Sequence, residues 1–315
     1  MKTAIIGAGI CGLYLGLKLS EKGNKIDIFE RKEKAGDNVV RSGLFSERIL
    51  DFIPESKNLI ENRIKFVLIH FPKKTVRVEF SKDFLVMSHS KLDQLVFEMA
   101  KKSGTNIIFN KNINELPEGY DNIIGCDGFD SLTRKKSCQA SPSYRIGIQG
   151  FVNNDDSLNG ISDGVEVWPL ETKDGFIWKI PRGKEIEYGI IGNPVSSISS
   201  FENFLAKNNI NLTKIESKLI PMGILVSDNP LIALCGDAAG MTKPWSGGGV
   251  IWGITAANIL VKAYPNLEKY NKKAYSFFKW KFKRSQLLTK TVYFLGFKFP
   301  WILPNKASIE SDFLL

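Results

Sequence analysis

LIALCGDAAGMTKPWSGGGVIWGITAA, residues 231–257, decides the fold. Leu231 to Leu234 are four apolar residues that read as a short buried strand, stopping at Gly236-Asp237. A loop follows with Pro244, Trp245 and three consecutive glycines, Gly247, Gly248 and Gly249. The apolar run Val250 to Val261 then reads as a buried helix. A strand, a glycine-rich turn and a helix together bring bare backbone amides up to a ligand that carries negative charge.

The other end of the chain repeats the design. Thr3 to Ile6 form a short apolar strand, followed at once by Gly7-Ala8-Gly9-Ile10-Cys11-Gly12 and then by Leu13, Leu15, Leu17 and Leu19 in helical company. In G-x-G-x-x-G, Gly7 permits the tight turn, Gly9 leaves space for a pyrophosphate, and Gly12 lets helix and strand pack closely. A second strand, Lys25 to Phe29, ends at Glu30, whose carboxylate can hold a ribose diol. The whole unit predicts a dinucleotide site.

A plain nicotinamide domain would continue with alternating strands and helices, and this chain is interrupted instead. A polar linker (32–38) leads through Arg41-Ser42-Gly43-Leu44 to a helix expected from Ser46 to Ile53. Lys65 to Ile69 and Thr75 to Phe80 read as paired strands around Pro72-Lys73-Lys74. The spacing of Leu92, Leu95, Val96 and Met99 predicts a helix over 90–102 with Ser90 as N-cap. Asn122 to Gly125 is another apolar strand, ending in Cys126-Asp127-Gly128 with Ser131 and Arg134 one turn on. From 144 to 192, four alternating runs separated by polar turns predict an antiparallel sheet.

With 315 residues, 43% hydrophobic and 24% charged, the chain has material for a large core and two joined domains. Its net charge of +10 favours an acidic surface or an anionic ligand. Cys11, Cys126, Cys138 and Cys235 lack metal-like spacing and read as small buried hydrophobes in a reducing compartment. The N-terminus lacks the unbroken apolar core of a signal peptide, and no apolar run reaches the roughly 18 residues of a spanning helix. The expected location is cytoplasmic. From Val261 to Thr291, nine Lys and Arg face a single acid, Glu268, and are interleaved with aromatics. Such a segment is either a helix lying on an anionic membrane surface or a solvated face packed on its own domain. No nucleic-acid-binding module accompanies the charge, so nucleic acid is not an expected partner.

Taken together, these motifs resemble the two-domain FAD-dependent oxidoreductases of the p-hydroxybenzoate hydroxylase fold, from the first residues to about residue 285. They are the opening G-x-G-x-x-G with Glu30-Arg31, Ser42-Gly43-Leu44, Asp127-Gly128 with Ser131 and Arg134, and Gly236-Asp237-Ala238-Ala239-Gly240 continuing to Pro244 and Gly247-Gly248-Gly249. Phe176-Ile177-Trp178-Lys179-Ile180-Pro181 is similar to the Tyr-x-Trp-x-Phe-Pro motif of the geranylgeranyl reductase branch. It also approaches the Trp-x-Trp-x-Ile-Pro of halogenases, and Arg41 stands where many of the reductases carry Cys, as in hydroxylases.

The resemblance implies an α/β fold with a Rossmann-like, glutathione-reductase-like FAD-binding domain (1–64, 83–140 and 226–263) and an inserted antiparallel β-sheet substrate domain (65–82 and 141–225). A basic, aromatic C-terminal helical region (264–315) completes it. It implies that Gly7, Gly9 and Gly12 meet the pyrophosphate, that Glu30, beside Arg31, binds the adenosine ribose, and that Asp237 holds the pyrophosphate and ribityl chain. Arg41 and His89 are further candidates for FAD contact, although His89 also reads as a solvent-facing residue before a helix. Asp127 and Gly128 are expected to link the second half of the fold to the cofactor. Beyond Pro244 and Gly247, the amides of Gly248 and Gly249 would meet the negative charge that a flavin gains on reduction.

Phe176 and Trp178, two apart on one strand, share a face and would line an apolar substrate pocket with Trp245. The only histidines, His70 and His89, sit in no acid-base motif, so no catalytic side chain is assigned and the flavin carries the chemistry. The leading expectation is reduction of carbon-carbon double bonds in an isoprenoid lipid, with NADPH, ferredoxin or another donor supplying electrons. A flavin monooxygenase or halogenase-like enzyme acting on an apolar small molecule, and an electron-transfer flavoprotein with a protein partner, are the alternatives.

Overall fold

Strand β1 (Lys2–Ile6) is buried from its second residue onward, so both of its neighbours must pair with it inside the protein. A computed structural model describes residues 1–37, 42–138, 140–153 and 163–309. After β1 come α1 (Ile10–Ser20), β2 (Lys25–Phe29), β3 (Leu44–Ser46), α2 (Ile49–Phe52), β4 (Ile60–Phe71), β5 (Lys74–Met87) and α3 (His89–Lys102). Then follow β6 (Asn106–Ile108), β7 (Asn122–Gly125), α4 (Leu132–Ser137), β8 (Ser143–Asn153), β9 (Gly164–Pro169), β10 (Phe176–Arg182) and β11 (Glu185–Gly192). The chain continues with α5 (Ser197–Lys207), β12 (Thr213–Met222), β13 (Ile232–Leu234), α6 (Val250–Ala263), α7 (Leu267–Lys298) and β14 (Lys306–Ile309).

Five strands form a parallel sheet in the order β13-β7-β1-β2-β6. This order places the ends of β1, β7 and β13 side by side, so the three glycine-bearing turns seen in the sequence open at one edge. Its core is built from α1, α3, α6 and the first half of α7, with Trp252 against Phe278 at 5.2 Å between ring centroids. Cys11, Cys126 and Cys235 lie on three adjoining segments and form no disulfide, and their small size suits close backbone packing.

The second sheet has nine strands, in the order β12-β8-β11-β10-β9-β4-β5-β14 with β3 paired to β5. It is antiparallel except for the β4-β9 and β5-β14 pairs. The β4-β5 hairpin is longer than the expected 65–80 pair, running from Ile60 to Met87.

Local chemistry explains three further differences. Leu44 and Phe45 pair with Val86 and Leu85, which draws the start of the expected 46–53 helix into a strand, and Pro54 then opens a 3-10 turn. The helix N-cap is Ser88, whose hydroxyl accepts from the Lys91 N–H at 3.4 Å. Ser90 lies inside the helix and donates instead to the Gly36 carbonyl at 2.7 Å. The basic tail is one helix of 32 residues, whose inner side is pinned where Tyr270 donates to the Leu234 carbonyl and Tyr293 to the Gly175 carbonyl, both at 2.8 Å.

Candidate functional site

The Gly7–Gly12 turn has the shape its glycines require. Gly7 takes φ of +101°, and a Cβ there would stand 2.4 Å from the Cys126 carbonyl oxygen. A Cβ on Gly12 would lie 2.0 Å from the Gly7 oxygen, which fixes how closely α1 approaches β1. Gly9 differs: a Cβ there would meet no atom within 4 Å. Gly9 caps the start of α1, whose first turn carries no acid. Open space in front of the positive end of a helix fits a pyrophosphate.

At the end of β2, Glu30 Oε2 accepts from the Ala8 N–H at 2.7 Å and Oε1 from the Lys32 N–H at 2.9 Å. The carboxylate is thereby held at the mouth of the turn with lone pairs left for a ribose diol. Arg31 beside it is exposed. His89 is buried as the first residue of α3, its ring 4.6 Å from that of Phe45, so the solvent-facing alternative does not hold. Arg41 lies outside the described residues.

Asp127 organises the adjoining loop: Oδ1 accepts from Ser131 Oγ at 2.6 Å, and Oδ2 from Thr133 N and Oγ1 at 3.0 and 3.1 Å. Gly128, at φ of +81°, lets the chain turn there. The buried Arg134 donates to the Ala238 carbonyl at 2.9 Å and the Phe129 carbonyl at 2.6 Å, which ties this loop to the Gly236–Ala239 turn. In that turn, Asp237 Oδ2 lies 3.3 Å from Lys218 Nζ on β12. A Cβ on Gly249 would come within 2.9 Å of Asp237 Oδ1, so glycine at this position lets the carboxylate approach the start of α6. Lys218 and the α6 dipole together offset its charge beside an anionic ligand.

Pro244 is buried and its carbonyl accepts from Arg145 Nη1 at 2.9 Å. Trp245 is half-buried, with Lys243 Nζ 5.8 Å from its ring centroid. Gly247 has φ of +69° and donates to the Lys243 carbonyl, whereas the Gly248 N–H, expected to be open, donates to Ser246 Oγ at 3.2 Å.

On the second sheet, Phe176, Trp178, Ile180 and Arg182 alternate onto one face of β10, opposite Ile191, Gly189, Glu187 and Glu185 of β11. The reverse face carries Ile177, Ile190 and Ile148 and is covered by Phe201 of α5. A Cβ on Gly247 would meet Ile191 at 2.4 Å, so the aromatic face looks toward the glycine loop. The Phe176 and Trp178 rings lie 6.1 Å apart, and a Cβ on Gly189 would strike the Trp178 indole at 2.2 Å.

Glu187, which sequence reading missed, is fully buried on this face. It accepts from Trp178 Nε1 at 2.8 Å and from Arg182 Nη1 at 3.0 Å. Arg182 Nη2 donates to the Met87 carbonyl at 3.2 Å, and the Met87 N–H to the Gly43 carbonyl at 3.0 Å. One hydrogen-bonded chain thus runs from the indole to the Ser42-Gly43 segment. Burial pushes the Glu187 carboxyl up to about 7 despite the two donors.

The fold is that of a Rossmann-like nucleotide-binding unit joined to a large mixed β-sheet. A family model for NAD(P)-binding Rossmann-like domains matches residues 5–43. An uncharacterised protein of Methanocaldococcus jannaschii is 26% identical over 86% of this chain and 79% of its own length. The digeranylgeranylglycerophospholipid reductase of Methanococcus vannielii is 23% identical over 79% of this chain and 72% of its own length. Among solved structures, a geranylgeranyl bacteriochlorophyll reductase-like protein from Thermoplasma acidophilum superposes with a TM-score of 0.77 at 18% identity, covering 93% of this chain and 86% of that one. A halogenase variant in complex with FAD gives 0.71 at 14%, covering 95% and 77%.

Proposed function

We propose that the protein is an FAD-dependent reductase of carbon-carbon double bonds in an isoprenoid, geranylgeranyl-type lipid. The observation that carries this reading is the Phe176-Trp178 face, turned toward the Gly247 loop through Ile191. Two flat, half-buried aromatics suit a long unsaturated hydrocarbon, which offers few polar groups to recognise. Similarity to the digeranylgeranylglycerophospholipid reductase of Methanococcus vannielii supports the same substrate class.

When bound and reduced by NADPH, a ferredoxin or another donor, FAD would supply a hydride, and a proton from solvent would complete each saturated bond. The turn at Gly7–Gly12 and Glu30 would hold the adenosine half, and Asp237 the middle of the cofactor. Phe176 and Trp178 would bind the chain and exclude water, while Glu187 fixes the indole plane through its N–H. Incubating the reduced protein with geranylgeranylated lipids tests this by mass spectrometry. Products heavier by two hydrogens per double bond are expected, with a reduced yield from Trp178→Ala. No such gain with any prenyl substrate refutes the reading, and an oxygenated product in air favours a monooxygenase.

A further inference from the structure

We propose that the outer face of α7, with the groove beside it, docks the protein on an anionic phospholipid bilayer. Residues seven apart on a helix fall on nearly one line, two turns along. Trp280, Leu287 and Phe294 have this spacing, and they are 74%, 66% and 49% exposed. They lie away from the inward line of Ala274, Phe278, Ser285 and Gly296. Trp301 and Ile302, just beyond the helix end, are 72% and 58% exposed and continue the apolar surface.

Cations flank this ridge. Lys283, Arg284, Lys290 and Lys298 are exposed beside it. The sole acid between Leu267 and Lys298 is Glu268, which pairs with Lys272 at 2.5 Å. Between α6 and α7 opens a groove of about 330 Å³ lined by Ile259, Lys262, Lys273, Ser276 and Phe277. Two ammonium groups and a hydroxyl around an apolar floor match a phosphate that carries hydrocarbon.

The chemistry favours a bilayer over a protein partner. Protein interfaces deplete lysine, whereas a helix lying in the membrane surface buries aromatic and aliphatic residues and lets flanking lysines reach the headgroups. Among the described residues no helix is long and apolar enough to cross a membrane, so α7 would lie along it. This inference is independent of the proposed substrate, since it concerns headgroup charge and the outer face alone.

The test is co-sedimentation of the FAD-loaded full-length protein with vesicles of phosphatidylcholine, with and without phosphatidylglycerol, neither carrying an isoprenoid chain. Binding is expected only with phosphatidylglycerol and should fall as salt rises. Trp280→Ser with Leu287→Ser should lower the partition coefficient by roughly tenfold or more with flavin content unchanged. Lys283→Gln with Lys290→Gln, both on exposed side chains, should lower it about fivefold per lysine, and this pair decides the matter if the apolar pair folds poorly. Equal binding to neutral vesicles, or wild-type binding by the lysine variant, overturns the proposal. Loss of self-association in the apolar variant with vesicle binding intact also overturns it, and would make the face an interface between copies.

Discussion

Replacing Glu187 with glutamine should remove a pH dependence of stability that the wild-type protein carries. The folded carboxyl titrates at about 7 against an ordinary value of 4.5, because burial outweighs the favourable charge of Arg182 and the Trp178 N–H. Between those two values the folded chain holds a proton that the unfolded chain has released. The contribution is therefore fully present below 4.5 and lost as pH rises through 7. At about 1.4 kcal/mol per pH unit, the gap amounts to about 3 kcal/mol.

Urea unfolding at saturating FAD, run at about pH 5 and about pH 8, measures the difference. Glutamine keeps an acceptor for the indole and stands in for the protonated carboxyl, so the variant should match wild type near pH 5 and be the more stable of the two near pH 8. Glu61, 3.9 Å from Arg182, is common to both proteins. The variant should show a difference between the two pH values smaller or more positive by about 3 kcal/mol. An identical pH difference in wild type and variant would refute the assignment of that proton to Glu187.

Two neighbouring glycines should respond in opposite ways. Gly9→Ala adds a methyl to open space at a φ of −76°, so melting of the FAD-free protein should be unchanged while FAD affinity drops roughly tenfold or more. Gly12→Ala drives a methyl into the Gly7 carbonyl and should destabilise the protein itself by about 3 kcal/mol, read by calorimetry of the same FAD-free form. Glu166 is held down to about 2 by a hydrogen bond from His70, assisted by Lys179. Its stabilisation is present above 4.5 and lost as pH falls toward 2; allowing for solvent screening it is about 2 kcal/mol, and Glu166→Gln should flatten the acid limb of the pH–Tm curve.

Legibility in this chain follows backbone conformation. The turns after β1, β7 and β13 were readable because each needs glycine for a positive φ or a close approach, as at Gly7, Gly128 and Gly236. Glycine is a poor choice elsewhere, so its spacing carries information. Ser88 and Ser90 show the limit: both are chemically fit to cap a helix, and only the path of β5 into α3 selects Ser88. The length of the β4-β5 hairpin was hidden too, since its added ends, Ile60 to Ile64 and Phe84 to Met87, pair with each other across register shifts that break the alternating pattern, and Phe84 to Val86 also pair with β3.

Glu187 was illegible for a more specific reason. In Glu185-Ile186-Glu187-Tyr188 the period-two pattern puts Ile186 inside and Glu187 outside. That rule assumes one wet face, yet Ile186 and Glu187 are 2% and 0% exposed, because β11 is covered on both sides. A buried carboxyl is tolerable there only because Trp178 and Arg182 reach it from diagonal positions on β10. The same residues that satisfy it also join the aromatic face to Met87 and, through Met87, to Gly43. The proton on Glu187 thus sits where the second sheet meets the segment that leads into the nucleotide fold, and a change in its charge would be felt first by the indole proposed to line the substrate pocket.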